Sequence, residues 1–132
     1  MAQQYFTVEE ANALLPTVRP LIERMVEHRR ELGVALERRE GLSEITGGNG
    51  GGFNPRLPAE IDAQVAAAAD GIKHCVEELT ELGVQVKDLD TGLVDFPSLR
   101  EGEEVLLCWQ LGEDEIGWWH TLGGGFAGRQ PL

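Results

Sequence analysis

Residues 61–83 read IDAQVAAAADGIKHCVEELTELG, and their spacing decides the fold. Ile61, Val65, Ala68, Ile72, Cys75, Leu79 and Leu82 step by 4, 3, 4, 3, 4 and 3 residues, an a/d stripe of coiled-coil type. Pro58 suits the first turn of such a helix, and Gly83 suits the left-handed position just past its end. Roughly 24 residues at 1.5 Å per residue give a rod of about 36 Å. A rod with one narrow apolar stripe must bury it against another element. The alanines at 66–69 let a neighbouring helix come close.

The partner lies upstream. Thr7-Val8-Glu9-Glu10 has the form of a capping box, with Phe6 placed to staple onto Ala11. Val18, Ile22, Met25, Leu32 and Leu36 then recur at about 3.5 residues, with Arg29 interrupting the stripe. Pro16 and Pro20 each lack an amide donor and crowd the carbonyl four residues back, which predicts a break near 15–16. A longer helix then runs to about Glu40 and stops at Gly41. His28 and His74 lie off the stripes, as surface histidines do. The segment 41–57, with its glycines at 47–52, reads as a flexible connector. It lacks the Lys that a phosphate-binding loop needs. Two rods joined by a loop make an antiparallel hairpin over 7–83.

After Gly83 the period changes to two. Val84–Lys87, Leu93–Phe96 (stopped by Pro97), Glu104–Leu111 and Ile116–His120 read as strands joined by short turns. Asp88-x-Asp90-x-Gly92 has a superficial calcium-loop look, but Leu93 and Leu99 stand where such a loop needs Gly and Glu, so a turn capped by Asp is expected. The fold class is therefore α+β. A helical hairpin precedes an antiparallel meander of three or four strands over 84–121, with an irregular tail over 122–132, all in one domain of 132 residues.

The chain carries 11 basic and 23 acidic residues, a net charge of −12. Nucleic acid and anionic membrane surfaces both call for a basic face, so neither is an expected partner. No apolar run approaches the ~18 residues of a membrane span. The first residues show no signal-peptide pattern, and the two cysteines have no ligand-like spacing. Reduced thiols in a cytoplasmic protein are the expectation.

The opening Tyr5-Phe6-Thr7…Glu10-Ala11-Asn12…Leu15-Pro16, residues 86–97 (Val-Lys-Asp…Gly-Leu-Val-Asp-Phe-Pro) and residues 107–129 (Leu-Cys-Trp…Trp-His…Gly-Phe-Ala-Gly-Arg) together resemble the bacterial domain-of-unknown-function family 2203. The resemblance covers nearly the whole chain apart from the Gly-rich stretch. It implies no particular activity.

Chemistry concentrates in the strands. His120 ends a strand after Trp118-Trp119, with Glu113 at the preceding turn and Asp95 and Cys108 on neighbouring strands. A carboxylate, imidazole and thiolate set can hold a divalent metal such as zinc or iron, and His120, Glu113 and Asp95 are the candidate ligands. Strand register decides the matter. If Gln110 pairs with Gly117, Cys108 pairs with Trp119, and His120 faces the side of Trp109 and Leu107, opposite Asp95. A one-residue slip reverses this. Glu113 then lies more than about 12 Å along the strand from His120. Asp95 is an acid in an apolar strand and needs a partner, with Lys87, Arg100 and Arg129 as the available cations. Cys108 has no base beside it in sequence and reads as buried structure. Trp109, Trp118 and Trp119 cluster near one hairpin and are candidate interface residues. A small-ligand pocket between hairpin and sheet, with Arg129 or Lys87 meeting an anionic group, is a further expectation.

Two functional expectations follow. The first is a homodimeric, non-enzymatic interaction or scaffold module, its dimer formed by the long helices or by the sheets, with a protein partner. The second is a metal-binding protein or small metalloenzyme built around His120.

Overall fold

A computed structural model describes residues 4–46 and 55–132. Two helices, α1 (Val8–Thr46) and α2 (Leu57–Glu81), precede five strands: β1 (Gln85–Asp88), β2 (Leu93–Arg100), β3 (Glu103–Gln110), β4 (Trp118–Thr121) and β5 (Gln130–Pro131). The strands form one antiparallel sheet in sequence order. The expected α+β class holds, with one strand more than the meander predicts. That strand is β5, drawn from the tail expected to be irregular.

The capping box closes as its spacing demands. The Thr7 amide donates to Glu10 Oε1 at 2.9 Å, and the Glu10 amide donates to Thr7 Oγ1 at 3.0 Å. Phe6 and Ala11 are both buried in the same core. The end of α2 is equally well defined. The Gly83 amide donates to the Thr80 carbonyl and the Val84 amide to the Leu79 carbonyl, with Gly83 at φ 87°. These bonds make a Schellman end. Every residue of the α2 stripe is buried or half-buried. The two rods run antiparallel, as the contacts Arg39–Asp62 (3.4 Å) and Arg38–Gln64 (2.6 Å) show.

Two expectations for α1 are corrected. The helix does not break at Pro16, and it does not stop at Gly41 but runs on to Thr46. Pro16 and Pro20 sit four residues apart on the exposed side. The carbonyls they leave unbonded therefore lie toward water. The flanking Leu15, Val18, Leu21 and Ile22 are all buried, and this packing outweighs two lost helix bonds. The glycines at 47–52 lie outside the described residues.

Pro97 does not end β2 either. Its carbonyl accepts from the Phe6 amide at 2.7 Å, pointing away from β3. Its nitrogen faces the same way, past the last β1 pairing at Asp95, so no bond to β3 is forfeited. The β1–β2 turn is capped by Asp88, whose Oδ2 accepts from the Thr91 hydroxyl at 2.6 Å and the Thr91 amide at 3.2 Å. The Thr91 hydroxyl bond holds the Asp88 carboxyl below its ordinary range.

One sheet face packs on the hairpin. Val94, Phe96, Leu107 and Trp109 are each no more than 2% exposed and join Val18, Ile22, Met25, Cys75 and Leu79 in a single core. Phe6 meets Phe96 edge-on at 5.5 Å. Residues 95, 106, 108 and 120 therefore point to the other face.

Gly92 locks the β1–β2 turn onto α1. It has φ 69°, and a Cβ there would lie 2.9 Å from Ile22 Cγ2 and from Leu111 Cβ. Gly102, at φ 82°, has open space around it. Gly102→Ala should cost about 1 kcal/mol, the left-handed penalty alone. Gly92→Ala should cost about 2–4 kcal/mol, because overpacking adds to it. Urea denaturation of both variants measures the difference, and equal losses would show that Ile22 and Leu111 do not confine the turn.

Candidate metal centre

The β3–β4 ladder pairs Leu106 with His120 and Cys108 with Trp118. This is the slipped register, one residue from the Gln110–Gly117 pairing. It puts His120 on the same face as Asp95 and Cys108, away from the helices, not beside Trp109 and Leu107. The β2–β3 ladder sets Asp95 directly opposite Cys108. Asp95, Cys108 and His120 thus come from three adjacent strands. They are 1%, 1% and 2% exposed, and one ligand atom from each lies within 4.8 Å of the others.

The hydrogen bonds define the state of the ring. His120 Nδ1 lies 2.7 Å from the Thr121 carbonyl, which only accepts, so Nδ1 carries a hydrogen. His120 Nε2 lies 3.1 Å from Asp95 Oδ1. With Nδ1 protonated, a neutral ring presents its Nε2 lone pair to a carboxylate oxygen. The contact is therefore made either by a second ring hydrogen that Nε2 donates to the carboxylate, as in an imidazolium–carboxylate pair, or by a metal ion held between the two atoms. The Thr121 carbonyl fixes the ring orientation and aims Nε2 at Asp95.

Cys108 completes the group as a thiol. Burial pushes its pKa from an ordinary 9.0 up to about 12, and the neighbouring Asp95 charge adds to the rise. Arg129 pulls the other way, while the thiol hydrogen bond to Asp95 and the charge of Glu113 add further to the rise. Cys75 is the second free cysteine, buried between the helices, and burial raises its thiol too.

The other candidate residues fall elsewhere. Glu113 is not with His120: it accepts from the Gln110 amide at 2.7 Å and pairs with Arg129 at 2.6 Å. Asp95 takes none of the three cations proposed for it. Arg100 lies over the Trp119 ring at 4.5 Å, and Arg129 lies over Trp118 at 4.8 Å and Phe126 at 4.7 Å. Trp109 is fully buried beneath Arg19, and Trp119 is half-buried against the core. Trp118 is 37% exposed on the face that carries the site. His28 is not a free surface residue, since its ring packs so closely on Gly71 that a Cβ there would meet it at 2.6 Å.

A cavity of about 190 Å³ opens beside the group, with Asp95 and His120 in its lining. Leu106 forms one wall, Leu122 and Phe126 of the tail form another, and Lys87 contributes the charge. Lys87 is the extra residue where the β1–β2 register shifts between Val86 and Asp88. Among the described residues it has no ion-pair partner. Alternation pointed to Asp95 and His120, and Cys108 was counted with them as a thiolate but left as buried structure, because neither the register nor the tail wall was readable.

A hairpin capped by a five-stranded sheet, with this buried group on the sheet's outer face, is the architecture the chain defines. The chain belongs to a family of uncharacterised conserved proteins, DUF2203, whose family model matches residues 4–132. No curated protein and no solved structure matches it. Among the described residues, no helix is long and apolar enough to cross a membrane.

With a pKa of about 12, only about one Cys108 in a thousand is ionised at pH 9, against half of an ordinary thiol. Iodoacetamide at pH 9 should leave Cys108 unmodified in the native protein and label it fully in denaturant, as read by peptide mass spectrometry. Rapid native labelling would mean that the thiol is neither buried nor held by Asp95.

Proposed function

We propose that this protein binds a borderline divalent metal ion, zinc or ferrous iron, through Asp95, Cys108 and His120. The observation that carries the reading is the convergence of His120 Nε2 and Asp95 Oδ1, 3.1 Å apart, with the Cys108 sulfur alongside and all three groups buried. Nitrogen, oxygen and sulfur ligands in one site suit zinc and iron better than magnesium or calcium, which prefer oxygen alone. Three protein ligands beside a cavity leave a fourth position open, the arrangement of catalytic rather than structural zinc. Binding displaces the Cys108 thiol proton, so binding weakens as pH falls.

Cobalt(II) titration of the full chain tests this. One equivalent should produce visible d–d bands and a thiolate-to-cobalt charge-transfer band. Cys108→Ser should remove the charge-transfer band, and Asp95→Asn should weaken binding at least about tenfold. No cobalt spectrum, together with no zinc retained in native mass spectrometry, would leave the second ring hydrogen as the only bridge and end the reading.

A homodimeric interaction module is a second reading, supported by the distal hairpin. The core shared with the sheet takes nothing from α1 beyond Val26, while Val34 and Leu36 further along are 58% and 41% exposed. Two residues apart on a helix, they lie on opposite sides of it, so a second copy covers both only by wrapping around the distal end of α1. Sedimentation should then give a dimer, and Val34→Glu with Leu36→Glu should give a folded monomer. A monomeric parent protein would remove this reading.

A further inference from the structure

We infer that the cavity beside Asp95, Cys108 and His120 takes a short aliphatic monocarboxylate, its carboxylate group at the open metal position and beside Lys87. The inference rests on the metal reading and adds the ligand class to it.

Charge is the first argument. The chain has 11 cationic side chains against 23 acidic ones. Arg29, Arg30, Arg39, Lys73 and Arg129 all pair with carboxylates. Lys87 lines the cavity and among the described residues pairs with none. In so acidic a molecule, a cation left free at the mouth of a cavity favours an anion there. Strand alternation puts Lys87 on the same outer face as Asp95, since Gln85 pairs with Asp95 and Val86 with the buried Val94.

Wall chemistry and size narrow the anion. Leu93, Leu106, Leu122 and Phe126 supply apolar surface, which phosphate or sulfate would leave unused. A carboxylate with a hydrocarbon tail uses both the cation and the walls. At ~30 Å³ for each water-sized group, 190 Å³ holds roughly six such groups. Butyrate has four carbons and two oxygens, which matches that count. A chain much longer than this would run out of the cavity past Leu122 and Phe126, which are 57% and 48% exposed, and gain little further apolar contact. A carboxylate oxygen is also an ordinary ligand for zinc or iron.

The probe is butyrate added to the cobalt-loaded full chain, followed through the visible d–d bands. A saturable shift at one equivalent is expected, with acetate binding several-fold more weakly and octanoate no more tightly. Lys87→Met should leave the butyrate-free cobalt spectrum unchanged and weaken butyrate on the order of five-fold. If the cobalt spectrum forms and butyrate does not alter it, the ligand inference is overturned and the metal reading stands. If inorganic phosphate or acetate shifts the bands as strongly as butyrate, the cavity selects charge alone and the inference is again overturned. If no cobalt spectrum forms, the metal reading itself has failed and takes the inference with it.

Discussion

A carboxylate removed from water must be met by donors or by a cation, and Asp95 is 1% exposed on the sheet face that the helices do not cover. Much of the outer half of the molecule follows from that constraint. His120 approaches from β4, Cys108 from β3, and the 122–132 tail folds back over them. Without the tail, the group would sit on an open sheet face and water would satisfy it. With the tail, the polar atoms must satisfy one another. Arg129 holds that cover through Glu113 and the Trp118 and Phe126 rings, and β5 stitches it to β4.

The β3–β4 register sets which side chains meet, and α1 helps to fix it. The Ile116 amide donates to Asn12 Oδ1 at 2.8 Å, and Arg19 donates to the Asp114 carbonyl at 2.8 Å. Both bonds anchor the connection between the strands to α1. Glu113 accepts from the Gln110 amide and so closes the same connection from within. A slip of one residue would carry His120 to the hydrophobic face and leave Asp95 alone. The helix that builds the core therefore also places the site, although no helical side chain belongs to the Asp95–Cys108–His120 group.

Local signals were legible in the sequence wherever one short-range interaction decides the outcome. The capping box at Thr7 and Glu10, the α2 stripe and the end at Gly83 all depend on residues within one or two turns. The prolines misled because exposure and packing, which act over the whole chain, decide whether a helix survives them. Pro97 misled for a similar reason: its nitrogen faces a gap that only the short length of β1 creates. The candidate ligands Asp95 and His120 were visible as polar residues in apolar strands. Cys108 was visible as the thiolate of the same set but read as buried structure, because its place beside Asp95 and His120 depends on a register that Asn12, about a hundred positions earlier, helps to fix. Glu113 was drawn in by proximity along the chain, yet it belongs to the clamp on Arg129.

The two sheet faces divide the physical work. The inner face carries Phe96, Leu107 and Trp109 in a continuous apolar core, and strands so held resist slipping. The outer face carries few apolar contacts and is closed by a tail with three successive glycines, 123–125. Opening the tail would disturb one ion pair, two ring contacts, a two-residue strand and the bond from the Leu132 amide to the Gly117 carbonyl, while leaving the core intact. Access to Asp95 and His120 is thus separable in energy from unfolding. That separation lets a rigid register and an accessible polar group coexist in one small domain.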